Sequence, residues 1–129
     1  MCVKVLLAED AEPVRKAIRV LLNQREDITL VGEAATLSEA IQKAEELQPD
    51  EIIFDLHMAD GEEWRRLVGP KLIAISFANN DGAAALAFRI GATKLLDKME
   101  LAQELIPTIL KLAPMRLDGL VDAYEPAAS

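Results

Sequence analysis

The 129 residues suit one domain rather than two, and with 51% of them apolar the chain can bury a proper core. Acidic residues outnumber basic ones by 22 to 14, for a formal charge of -8, which argues against nucleic acid and anionic membrane as direct partners because both need a basic face. The lone cysteine, Cys2, excludes an internal disulfide; no apolar run approaches a membrane span, and Val3 to Ala8 is cut off by acid before it could act as a leader, so a cytoplasmic protein is expected.

In chain order, Val3-Lys4-Val5-Leu6-Leu7-Ala8 reads as a first strand that ends in acid, at Glu9-Asp10. Pro13 suits the first turn of a helix, and Val14, Ala17, Ile18, Leu21 and Leu22 then recur at helical spacing. Ile28 to Ala34 is a second strand. Thr36 or Ser38 can cap the next helix, whose buried stripe is Leu37, Ala40, Ile41, Ala44 and Leu47. Pro49-Asp50 breaks it.

Glu51-Ile52-Ile53-Phe54-Asp55 follows. Its apolar residues run without alternation, the pattern of a parallel strand buried on both faces. Asp60-Gly61 marks a turn, and a short helix is expected through Trp64, Leu67 and Val68, closed by Gly69-Pro70. Leu72 to Ile75 is the fourth strand, ending at Ser76. The capping-rich loop Asn79-Asn80-Asp81-Gly82 leads into an Ala-rich helix over Ala83 to Ile90, stopped by Gly91. Lys94-Leu95-Leu96 is a fifth strand, which delivers Lys98 just beyond it.

The last helix carries Leu105, Ile109 and Leu112, with Pro107 inside the pattern. A helix accepts proline best in its first turn, so the helix is expected to start near Gln103 or Glu104. Pro114 ends it. Leu117, Leu120, Val121 and Tyr124 share one helical face and suit a short docking helix, with Glu125 to Ser129 frayed. The expected organisation is one α/β domain over residues 1–113 and a tail over 114–129. The domain is a doubly wound, five-stranded parallel sheet with five helices.

In a parallel sheet the carboxyl ends of the strands lie on one edge, where ligands bind. Four of the five ends carry or lead to polar residues: Glu9-Asp10, Asp55, Ser76 and Lys98. Three carboxylates together resist ionisation. Lys98 supplies one compensating charge. A divalent cation would supply the rest, and oxygen-only donors favour Mg²⁺ over zinc.

These motifs, with Leu56-His57-Met58 after Asp55 and the run from Gly91 to Lys98, resemble the receiver domain of two-component response regulators, over Met1 to about Leu112. The resemblance implies a flavodoxin-like, receiver-type fold. It implies that Asp55 is the phosphoacceptor and that Glu9, Asp10, Asp55 and the backbone carbonyl of His57 hold Mg²⁺. It likewise implies that Ser76 is the hydroxyl that follows the phosphoryl group and that Lys98 pairs with Asp55 and its phosphate. The implied partners are a sensor histidine kinase or phosphotransfer protein and a downstream protein target. A homodimer through the last two helices and the fifth strand is a family expectation. No separate substrate turnover is expected.

The chain departs from the family pattern at two positions. Ala59 stands where the family usually has proline, and Leu95 where it commonly has Tyr or Phe, a ring that swings inward as the hydroxyl residue moves. His57 reads as an exposed loop residue that could tune hydrolysis, and Trp64 as packing for the short helix. With its short, non-basic tail, the chain reads as either a stand-alone receiver or a fragment of a longer regulator.

Three alternative readings fit the residues less well. A receiver-like interaction module that works without phosphate draws support only from Ala59 and Leu95. A Mg²⁺-dependent phosphohydrolase of the haloacid-dehalogenase type would want a second Asp at the position of His57, and a flavodoxin-like nucleotide binder would want a Gly-, Ser- or Thr-rich first loop in place of Ala8-Glu9-Asp10-Ala11-Glu12.

Overall fold

The computed structural model describes residues 2–114. Five strands, β1 (Val3–Ala8), β2 (Ile28–Ala34), β3 (Glu51–Asp55), β4 (Lys71–Ser76) and β5 (Ala92–Asp97), form one sheet in the order β2-β1-β3-β4-β5. Every neighbouring pair is parallel. Four α-helices connect them: α1 (Glu12–Leu22), α2 (Leu37–Leu47), α3 (Asp81–Arg89) and α4 (Leu101–Leu112).

Strand periodicity of two divides the core. Val5, Leu7, Ile53, Ile73 and Ile75 face α1 and α4, where they meet Ile18, Leu22, Leu101, Leu105 and Ile109. Leu6, Ala8, Ile52, Phe54 and Ala74 face α2 and α3, where they meet Ala40, Ile41, Ala83 and Ala87. The sheet is therefore covered on both sides, which is why β3 reads as an unbroken apolar run.

Local chemistry fixes the helix ends. Pro13 lies in the first turn of α1, Thr36 Oγ1 accepts from Glu39 N at the start of α2, and Asn80 Oδ1 accepts from Ala83 N at the start of α3. Gly91, at φ +78°, turns the chain out of α3. Asn80→Ala is expected to lower stability by about 1 kcal/mol through loss of its cap, measured by urea unfolding.

Two expectations are corrected. The helix through Trp64, Leu67 and Val68 is only a 3₁₀ turn over Glu63–Arg66, so the fold has four α-helices among the described residues rather than five. Gly61 at φ +66° and Gly69 at φ +110° leave too short a run between them to nucleate an α-helix. Trp64 stitches the turn instead: its indole N–H donates to Gly61 O at 2.9 Å, and its ring joins the core.

Helix α4 starts at Leu101, not near Gln103, and contains Pro107 in its interior. Pro107 lies on the exposed side, so the carbonyl that loses its donor faces water. The buried side chains of Leu101, Leu105 and Ile109 hold the helix through that break. The proposed docking helix over residues 117–124 and the frayed end lie outside the described residues.

Candidate functional site

β1, β3 and β5 deliver their terminal residues to one corner of the carboxyl edge. Glu9 and Asp55 are fully buried there, and Asp10 is exposed beside them. One carboxylate oxygen from each of Glu9, Asp10 and Asp55 lies within 4.8 Å of the others. Lys98 reaches this corner from the start of the 3₁₀ turn after β5. Its Nζ lies 2.7 Å from Glu9 Oε1 and 3.2 Å from Asp55 Oδ1. The Glu9 contact is an ion pair rather than an aligned hydrogen bond.

The remaining acceptors differ in how they are satisfied. Glu9 Oε2 accepts from Ala11 N at 3.0 Å, and Asp55 Oδ1 accepts from His57 N at 3.0 Å. Asp55 Oδ2 is buried without a hydrogen-bond partner. A buried, unpartnered carboxylate oxygen is costly. Oxygen donors alone around it, from Asp55 and Asp10, suit a hard cation such as Mg²⁺.

The electrostatics follow from this crowding. Burial pushes the Glu9 carboxyl up to about 7, against the opposing pull of the Lys98 ammonium and the Ala11 N–H. Burial also works against the Lys98 charge, but the Glu9 and Asp55 carboxylates outweigh it and hold the ammonium above the usual lysine range. Asp10 is held below the usual carboxylate range, chiefly by the Asp55 carboxyl beside it.

Ser76 ends β4, next to β3, and is 8% exposed. Its Oγ accepts from Ala78 N at 3.0 Å. His57 is exposed in the 3₁₀ turn that follows Asp55. Leu95 is half-buried against the α2–α3 side of the core. Two residues outside the sequence-derived set also stand out. Phe77 lies with its ring centroid 5.0 Å from Lys98 Nζ, and Glu51, at the opposite end of β3, is a fully buried carboxylate with neither oxygen hydrogen-bonded. Each had a signal in the sequence: a large aromatic in a loop, and a charge on the same face of a strand as Ile53 and Asp55.

Comparison with known proteins shows the family and the fold. Residues 5–110 match the family model described as the response regulator receiver domain. The transcriptional regulatory protein LiaR of Bacillus subtilis is 35% identical over 114 residues, covering 83% of this chain and 54% of that protein. The response regulator protein VraR of Staphylococcus aureus is 50% identical over 60 residues, 46% of this chain and 29% of that one. The chain thus spans about half the length, or less, of these curated relatives. Among solved structures, the response regulator domain of Thermotoga maritima CheB superposes with a TM-score of 0.77 at 25% identity, covering 87% of this chain and 96% of that one. The receiver domain of the NarL regulator from Mycobacterium tuberculosis gives 0.78 at 20% identity, covering 89% and 98%, and supports the fold alone.

Proposed function

This chain belongs to the response regulator receiver domain family of two-component systems, and from that membership we propose that it is a phosphorylation-dependent switch whose acceptor is Asp55. The observation that carries the reading is the buried, unpartnered Asp55 Oδ2, which shares its corner with Asp10, Glu9 and the Lys98 ammonium. The donor would be a phosphohistidine on a sensor histidine kinase or phosphotransfer protein, and the output a changed protein-binding surface.

Phosphoryl transfer depends on positioning and charge neutralisation more than on covalent help. Asp55 would attack phosphorus through a carboxylate oxygen, forming the acyl phosphate as the histidine nitrogen leaves. Lys98 would neutralise a phosphoryl oxygen. The Ser76 hydroxyl would turn from its present bond with Ala78 N to donate to another. Asp10, Asp55 and the carbonyl of His57 would hold Mg²⁺, with Glu9 behind them; the ion would supply further charge neutralisation. Movement of Ser76 and its loop toward the new charge would bias the surface between two states. No separate substrate is turned over in this reading, and a cytoplasmic location fits it. Among the described residues no helix is long and apolar enough to cross a membrane. The charge of -8 favours protein over nucleic acid as the direct target of this chain.

Intact-protein mass after incubation with a small acyl-phosphate donor tests this. The expected result is one Mg²⁺-dependent phosphoryl addition, absent in Asp55→Asn. Equal addition to both proteins would remove Asp55 as the acceptor. No addition from either the small donor or a histidine kinase would favour the phosphate-independent interaction module.

A further inference from the structure

An ammonium group has three N–H donors, and at Lys98 two of them have carboxylates to face, at 2.7 Å and 3.2 Å. An aromatic ring also lies against the ammonium. The centroid of Phe77 lies 5.0 Å from Lys98 Nζ, within the range of cation–π attraction. Phe77 is itself 60% exposed, so core packing does not explain its place. The Lys98 side chain, by contrast, is only 7% exposed.

The loop geometry says how the ring is held. Ser76 Oγ accepts from Ala78 N, closing a tight turn with Phe77 at its apex. The Phe77 backbone is thereby fixed between the end of β4 and the loop that leads to α3. The same ring lines a groove between α1 and α4 with Pro13, Val14 and Met99. One face of the ring thus covers a charge of the site, while the rest remains on the surface.

We propose that Phe77 is a positioning residue for the phosphoacceptor site: its ring holds the Lys98 ammonium against the Glu9 and Asp55 carboxylates and keeps water from that side. This rests on the reading of Asp55 as acceptor. The ring's contribution is electrostatic, because the face of the π-system carries negative potential. A leucine would cover the ammonium with comparable apolar bulk and supply no such attraction. A tyrosine would keep both.

The test uses the full chain as wild type, Phe77→Leu and Phe77→Tyr, with two readouts. The first, needing no phosphate, is the ¹⁵N NMR resonance of the Lys98 ammonium, visible only when the group is held and its protons exchange slowly. The second is the rate of phosphoryl acceptance from a small acyl-phosphate donor with Mg²⁺. The expected result is a resolved ammonium resonance in wild type and Phe77→Tyr that broadens in Phe77→Leu. Acceptance should slow about threefold to thirtyfold in Phe77→Leu and remain near wild type in Phe77→Tyr. A Phe77→Leu protein that keeps both signal and rate overturns the proposal, as does equal loss in both variants or a wild type with no held ammonium. If wild type accepts no phosphoryl group, the acceptor reading fails, while the resonance still decides whether Phe77 positions Lys98.

Discussion

Glu51→Gln is expected to be more stable than the natural protein at pH 8 by about 3 kcal/mol, and nearly equal to it near pH 4. Glu51 opens β3, is fully buried, and has no hydrogen bond to either carboxylate oxygen. Burial raises its carboxyl from 4.5 to about 7; Lys71, its cross-strand partner, pulls it down, and Asp50 pushes it up. Below 4.5 the group is protonated in both folded and unfolded chains and costs nothing. As pH rises from 4.5 toward 7 the unfolded chain releases its proton while the folded one keeps it, and stability falls by about 1.4 kcal/mol per pH unit. Above 7 both forms are ionised and the loss is complete. Glutamine has nearly the same shape and does not titrate. Glu9, whose carboxyl is also raised to about 7, is present in both proteins and cancels in the difference. Urea unfolding at a series of pH values measures this. Parallel stability curves for the two proteins would show that Glu51 does not carry the effect.

Lys98→Met is expected to slow phosphoryl acceptance by about 10²- to 10³-fold, the usual cost of removing one preorganised charge stabiliser. Methionine fills much of the same volume but leaves Glu9 Oε1 and Asp55 Oδ1 facing each other without the ammonium that now lies 2.7 Å and 3.2 Å from them. The Glu9 carboxyl should rise further, because Lys98 is the largest influence now lowering it. Its ionisation in the folded state then moves to higher pH, so the variant should lose more stability at pH 8 than at pH 6. Acceptance rates by intact mass and unfolding at both pH values measure the two effects. A rate within tenfold of wild type would remove Lys98 from the machinery.

Most of the sheet is legible in the sequence because it obeys simple periodicities. β1, β2 and β3 have the expected bounds, since apolar runs flanked by Pro, Gly and acid leave little choice of register or length. The gathering of Glu9, Asp10, Asp55 and Lys98 also follows from topology, because parallel strands place their carboxyl ends on one edge. The rest depends on tertiary contacts. Pro107 argues locally against a helix interior, yet Leu105 and Ile109 are completely buried and hold the helix through it. Trp64, Leu67 and Val68 suit a helical stripe, but the two positive-φ glycines around them allow a single 3₁₀ turn, and Val68 is left 81% exposed. Phe77 gains meaning only once Lys98, remote in sequence, is beside it.

β3 carries a carboxylate at each end of the same face, Asp55 toward the acidic corner at the carboxyl edge and Glu51 at the base of the sheet. Four steps of about 3.3 Å separate them by about 13 Å, through a core that salt does not screen. At an effective dielectric constant of about 20, one added negative charge at the Asp55 end would disfavour ionisation at Glu51 by about 1 kcal/mol. Linkage makes the effect mutual: charge acquired at the top of the strand draws a proton to its base, and a proton bound at the base eases the arrival of charge at the top. With Asp55 as the proposed acceptor, the central strand would be a thermodynamic connection between phosphoryl and proton occupancy, requiring no movement of the backbone between them.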